Sequence, residues 1–160
     1  MLLDRSLPTL VIGLSHAYMQ TMTDPLNLIA ARTAPTLADL EDLAARGFAS
    51  LPQTFQALCE GLVIRVEDFP DEETLDDMDC ETEYDLLGLF HGRGLPHRGA
   101  GPETGELPNM IWLYRRPILD FWCDQDETLG AVVTHVLVHE IGHHFGLSDA
   151  DMDAIETAAG

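Results

Sequence analysis

A strongly apolar run, Val132-Val133-Thr134-His135-Val136-Leu137-Val138, leads directly into His139-Glu140-Ile141-Gly142-His143-His144-Phe145-Gly146. No other feature constrains the chain as much. The pattern predicts a long buried helix that begins near Asp124 or Asp126, runs to Phe145, and places Gly146 in the C′ position. At 160 residues, the chain suits one domain with a real core but not two.

On a helix, residues four apart share a face, with Cβ atoms ~6 Å apart. His139 and His143 can therefore bring a ring nitrogen each to ~2.1 Å from one Zn²⁺. Glu140 is rotated one position away, too far round to ligate comfortably but well placed to take a proton from a water polarised by the metal. Gly146 ends the helix three residues past His143 and sends the chain back towards the metal. Asp149, ten residues after His139, is the expected third ligand, although the helix dipole favours an acid there in any case. Glu156 is the competing ligand and Cys123 a more distant one. His135 lies on the same face as His139 but one turn too far along to ligate. His144 points about 100° away from His143 and is expected to pack elsewhere.

The rest of the chain reads as helices, three strands, then helices, an α+β domain with a small sheet. Residues 1–36 form an N-terminal extension, and Met19 and Met22 offer alternative starts that make 1–21 dispensable. Within it, residues 25–36 read as a loose lead-in bounded by Pro25 and Pro35. The domain proper is 37–160. Thr36 caps a helix carrying Leu37, Leu40, Leu43 and Ala44, with Gly47 as its stop. A short helix over Pro52 to Glu60 is closed by Gly61. Leu62 to Val66, Leu86 to Phe90 and Met110 to Tyr114 have strand character, the last closed by Arg115, Arg116 and Pro117. Residues 67–85 carry eleven acids without the glycine turn of an EF-hand, and read as a solvated loop or helix. His91 to Pro108 holds five glycines and three prolines and must be loop. There His91, Arg93, His97 and Arg98 could line a substrate path, but the first reading is a mobile, solubilising segment. Ser148 caps a last helix that carries Asp151 at its third position and Met152 and Ile155 on one face.

Charge narrows the function classes. The 28 acidic residues outnumber 8 basic ones, for a formal charge of −20. Such a field repels phosphate backbones, so nucleic acid and anionic membranes are not expected partners; it favours cations, basic peptides or basic partner proteins, or else is a solvated surface that only aids solubility. All eight basic residues are arginine, which excludes lysine Schiff-base chemistry and the Walker P-loop. Cys59, Cys80 and Cys123 make no CxxC pair and no disulfide framework, as expected in a reducing cytoplasm. No apolar run reaches the ~20 residues of a spanning helix.

The segments LLGLF, LPNMIWLYRRPIL and HEIGHHFGLSDADMDAIE together resemble the bacterial zincin-like minimal metallopeptidase family, over about Leu37 to Glu156. The pattern HExxHxxGxxD is similar to that of metzincins, with aspartate in place of the third histidine, as in the snapalysins. The resemblance implies a reduced zincin fold, in which a small twisted three-stranded sheet packs on helices that include the active-site helix. It also implies a zinc-dependent peptidase. In departure from larger zincins, few residues follow Asp149, so no C-terminal subdomain is expected to wall the cleft. Met152 sits too close to Asp149 to form a Met-turn, and no downstream tyrosine exists to support an oxyanion.

The expected function is peptide-bond hydrolysis on a peptide or protein substrate, with Zn²⁺ on His139, His143 and Asp149 and Glu140 as general base. A different class of function, a non-catalytic zinc-binding or protein-interaction module on the same scaffold, is the alternative. A metal-dependent endoribonuclease with H-x3-H-x5-H spacing is disfavoured by Glu140, by the acidic third position and by the net charge. Peptide deformylase requires an upstream cysteine context that all three cysteines lack. Nothing in the sequence sets the oligomeric state.

Overall fold

The computed structural model describes residues 25–92, 94 and 108–152. The chain divides into two units, Met1–Ala34 and Pro35–Gly160. In the first, α1 spans Pro25–Ala30, where the sequence suggested only a loose lead-in. Its Leu26, Leu28 and Ile29 are exposed.

The second unit contains α2 (Leu37–Ser50), α3 (Gln53–Leu58), β1 (Val63–Glu67), α4 (Glu72–Asp77), β2 (Gly88–His91), β3 (Met110–Tyr114), α5 (Arg115–Cys123) and α6 (Leu129–His144). Thr36 caps α2 as expected. Its hydroxyl accepts from the Asp39 N–H while the Asp39 carboxylate accepts from the Thr36 N–H, a reciprocal capping box. Gly47 does not stop this helix, which continues to Ser50. It is instead the point where α2 approaches α6. A Cβ there would lie 2.8 Å from the Thr134 hydroxyl oxygen.

The three strands form one sheet in the order β1-β3-β2. β1 runs parallel to β3, and β2 antiparallel to it. Each observed strand starts within two residues of the sequence expectation. Pro117 does not close β3 with a loop. Helix α5 starts at Arg115, directly after the strand, and Pro117 sits in its first turn, where no N–H is needed. Arg115 fixes this junction by donating to the Asp68 carboxylate (2.7 Å) and the Pro35 carbonyl (2.8 Å).

Helix α6 begins at Leu129 with Thr128 as its cap, a few residues later than expected, because α5 extends to Cys123. It is apolar over most of its circumference, as a central helix must be. Leu40 and Ala44 of α2, Val66 of β1, Ile111 and Leu113 of β3, Ile118 of α5 and Val133 and Leu137 of α6 make one continuous core. Among the described residues, no helix is long and apolar enough to cross a membrane.

Candidate metal centre

The 3.6-residue period of α6 sorts its side chains into rows. Val132, Val136 and Glu140 are buried, as are Val133, Leu137 and Ile141. The neighbouring row, His135, His139 and His143, comes to the surface: His135 is exposed, and the other two are half-buried. One step of rotation thus separates two imidazoles that reach solvent from a carboxylate that does not.

How the helix ends decides what meets those imidazoles. Gly146 adopts φ 84°, in the left-handed region that favours glycine. Its N–H donates to the His143 carbonyl (2.9 Å), and that of Leu147 donates to the Gly142 carbonyl (3.0 Å). This double bond pattern is the Schellman termination. The turn aims the Leu147 carbonyl at the His143 ring, where it accepts from Nδ1 at 2.9 Å. A carbonyl can only accept, so the proton is on Nδ1 and the Nε2 lone pair faces outward. Ser148 then starts the next helical turn, in which its hydroxyl and the Asp151 carboxylate cap each other. Asp149 lies in that first turn.

The Asp149 carboxylate oxygen Oδ1 lies 3.2 Å from Nε2 of His139 and 3.2 Å from Nε2 of His143. The three donor atoms all fall within 4.8 Å of one another. Tetrahedral bonds of ~2.0–2.1 Å to nitrogen and oxygen require donors ~3.3–3.4 Å apart, and both histidine–aspartate spacings come close to that separation. The rings of His139 and His143 are 5.0 Å apart and nearly perpendicular. Cys123 is exposed at the end of α5 and outside this group. Glu156, the competing ligand, lies outside the described residues, as do Ile155, Arg93, His97 and Arg98.

Glu140 is 6% exposed. Burial pushes its carboxyl above the usual carboxylate range. The His143 and His139 imidazoles and a hydrogen bond from the Phe90 backbone N–H pull it part of the way back. It opens onto a cleft of about 590 Å³ between β2 and α6. Met78 and Phe121 line this cleft, as does His135 one turn from His139. His144 is fully buried on another face, as expected: its Nε2 donates to the Leu58 carbonyl (3.3 Å), and Asn109 donates to its Nδ1 (3.4 Å).

Sequence reasoning did not single out Gly88, the Phe90 amide or the Leu147 carbonyl. Only Gly88 carried a signal. A glycine inside an otherwise apolar strand marks a close approach by another group, and here the group is Glu140.

No curated protein matches the chain. A solved structure of a conserved hypothetical protein from T. thermophilus has 21% sequence identity, covering 69% of this chain and 94% of that one, with a TM-score of 0.46. Residues 59–159, more than half of the chain and all three strands with them, match the family described as zincin-like metallopeptidase, and the chain belongs to that family.

Proposed function

We propose that this protein is a zinc-dependent peptidase in which His139, His143 and Asp149 hold the metal and Glu140 is the general base. The observation that carries this reading is the convergence of two imidazole nitrogens and a carboxylate oxygen within 4.8 Å of one another, beside a buried carboxylate in an open cleft. When bound, zinc supplies Lewis acidity, polarising a carbonyl and acidifying water.

The chain's own residues do the rest. The proton on His143 Nδ1, held by Leu147, keeps the ring oriented with Nε2 available to the metal. Glu140, with its carboxyl pushed up by burial, is suited to take a proton at neutral pH and pass it to the leaving amine. β2 pairs only with β3 among the described strands, so the part of its outer edge not turned to Glu140 can receive an extended peptide by strand addition. Met78 and Phe121 give the cleft apolar walls for the peptide's side chains.

The test is metal analysis together with peptide turnover on the purified protein. One zinc per chain is expected, lost in His143→Ala. Glu140→Gln should keep the zinc while turnover falls by ~10²–10⁴, the usual contribution of a general base. Glu140→Gln turning over peptide at the wild-type rate would remove the base assignment. A zinc-loaded chain inert towards a broad peptide library would favour the non-catalytic module instead.

A further inference from the structure

From the way β2 meets α6 we infer that Gly88 and the Phe90 backbone N–H form a seat that fixes the Glu140 carboxylate, making Gly88 a positioning residue for the base. The inference rests on the reading of Glu140 given above.

The sheet register explains why Phe90 has an N–H to offer. In an antiparallel pair, residues that exchange backbone hydrogen bonds alternate with residues that turn those groups away. The Tyr114 N–H donates to the Leu87 carbonyl at 2.9 Å, so Leu87 faces β3. Gly88 and Phe90, opposite Leu113 and Ile111, fall one and three residues later. Gly88 and Phe90 therefore turn their amides to the outer edge of β2, the edge along which the cleft runs. There the Phe90 N–H faces the Glu140 carboxylate.

A hydrogen bond between them requires α6 to lie close against the strand, and Gly88 makes the approach possible. A Cβ built on Gly88 would lie 3.0 Å from both Cγ and Oε1 of Glu140 and 2.9 Å from Cγ1 of Val136. The Val136 and Glu140 atoms belong to buried side chains of a helix packed from behind by α2 and the core, so they have little room to retreat. An added methyl would push the carboxylate off the Phe90 amide. Glu140 is otherwise flanked by His139 and His143, and a carboxylate freed from its seat can swing towards the metal position and become a ligand. The seat holds it one step away, where it can exchange a proton.

The zinc-loaded protein provides two independent readouts. In the first, backbone amide exchange is followed by NMR. Phe90, although its N–H faces outward on an edge strand, should exchange at least about 10-fold more slowly in the wild type than in Glu140→Ala, and Gly88→Ala should reproduce that loss. Equal Phe90 exchange in the wild type and Glu140→Ala would overturn the inference whether or not any peptide is cleaved, so it can fail while the peptidase reading stands. Total absence of wild-type turnover would overturn the peptidase reading and leave the amide result to decide the seat.

The second readout is kinetic. Displacing a catalytic group by about 1 Å costs on the order of 100-fold, so Gly88→Ala should lower kcat by about that factor with KM changed by less than about 3-fold. A merely structural role for Gly88 makes a different prediction: truncating the crowded neighbour in Gly88→Ala/Val136→Ala would restore kcat. If Gly88 acts through Glu140, kcat stays low in that double variant, and Gly88→Ala adds no further loss in a Glu140→Gln background. Restoration by Val136→Ala, or fully additive losses with Glu140→Gln, would sink the proposal. Should Gly88→Ala fail to fold, Glu140→Asp, whose shorter side chain cannot reach the Phe90 amide, must show the same accelerated Phe90 exchange.

Discussion

His143 and His144, neighbours in α6, are assigned different tasks by what their ring nitrogens meet. His143 gives the Nδ1 proton to Leu147 and keeps Nε2 for the cleft, whereas His144 spends both nitrogens on Leu58 and Asn109 and is a packing residue. Asp149, with its side chain 80% exposed, has no burial to hold it and depends on the Ser148–Asp151 cap for its place. Asp149→Ala should weaken zinc binding by more than the 10–100-fold typical of losing an outer-shell partner, as measured by competition with a chromophoric chelator. Unchanged affinity would hand the third position to another donor. A second prediction concerns Tyr114, which is 3% exposed. Burial, reinforced by the Asp71 and Glu67 carboxylates, pushes its phenol up to about 12, while a hydrogen bond with Thr74 acts in the opposite direction. The unfolded phenol ionises near pH 10. Above that pH the unfolded state binds fewer protons than the folded one, so this contribution to stability is intact below pH ~10 and drains away up to pH ~12. The loss approaches about 2–3 kcal/mol at the upper end. With no lysine in the chain, few other groups titrate in that window. Urea unfolding at pH 9 and 11 should show a steeper fall in the wild type than in Tyr114→Phe; parallel falls would dismiss the assignment.

At the scale of elements, two glycines that face α2–α6 packing make opposite predictions. A Cβ on Gly47 would crowd Thr134, a β-branched residue whose hydroxyl is already committed to the Gly130 carbonyl at 2.8 Å. Overpacking of this kind costs ~1–3 kcal/mol, against which the helix-propensity gain of alanine over glycine is only ~1 kcal/mol. Gly130 would meet nothing closer than a Leu43 methyl at 3.6 Å. In urea denaturation, Gly47→Ala should therefore destabilise by about 1 kcal/mol, and Gly130→Ala should stabilise by up to about 1 kcal/mol. Both moving the same way would contradict this account of the packing. These glycines also show where the sequence was legible. Gly146 reads as a helix end because its signal is local: a left-handed residue after the last periodic position. Gly47 looks like the same signal, yet its reason lies in Thr134, far along the chain. The α+β order, the three strands and the rows of α6 are encoded in periodicity and could be read from it. Helix α5 could not, because Arg115-Arg116-Pro117 resembles a loop until proline is allowed its place in a first turn. The pairing of β2 with Glu140 depends on register, which no single segment carries.

At the scale of the whole chain, the sequence carries a formal charge of −20, while the named walls of the cleft, Met78 and Phe121, are apolar. The two features act at different distances. Apolar walls act only in contact, when a substrate side chain leaves water, and salt does little to weaken them. The acidic field acts at range over a Debye length, ~10 Å at 0.1 M ionic strength and ~3 Å at 1 M. On the proposed peptidase reading it sorts substrates before contact, and residues 67–85, with their eleven acids, bring part of that charge to the cleft through Met78. Two peptides with the same apolar centre, one flanked by arginines and the other by glutamates, separate the effects. At low salt, about 20 mM, the basic peptide should have the higher kcat/KM by 10-fold or more, within the range electrostatic steering gives. At about 0.5 M the ratio should fall towards one. kcat should change little, because the shared apolar centre sets how the bound peptide sits against Glu140. A ratio that persists at high salt would place the discrimination in direct ion pairs inside the cleft and not in the field.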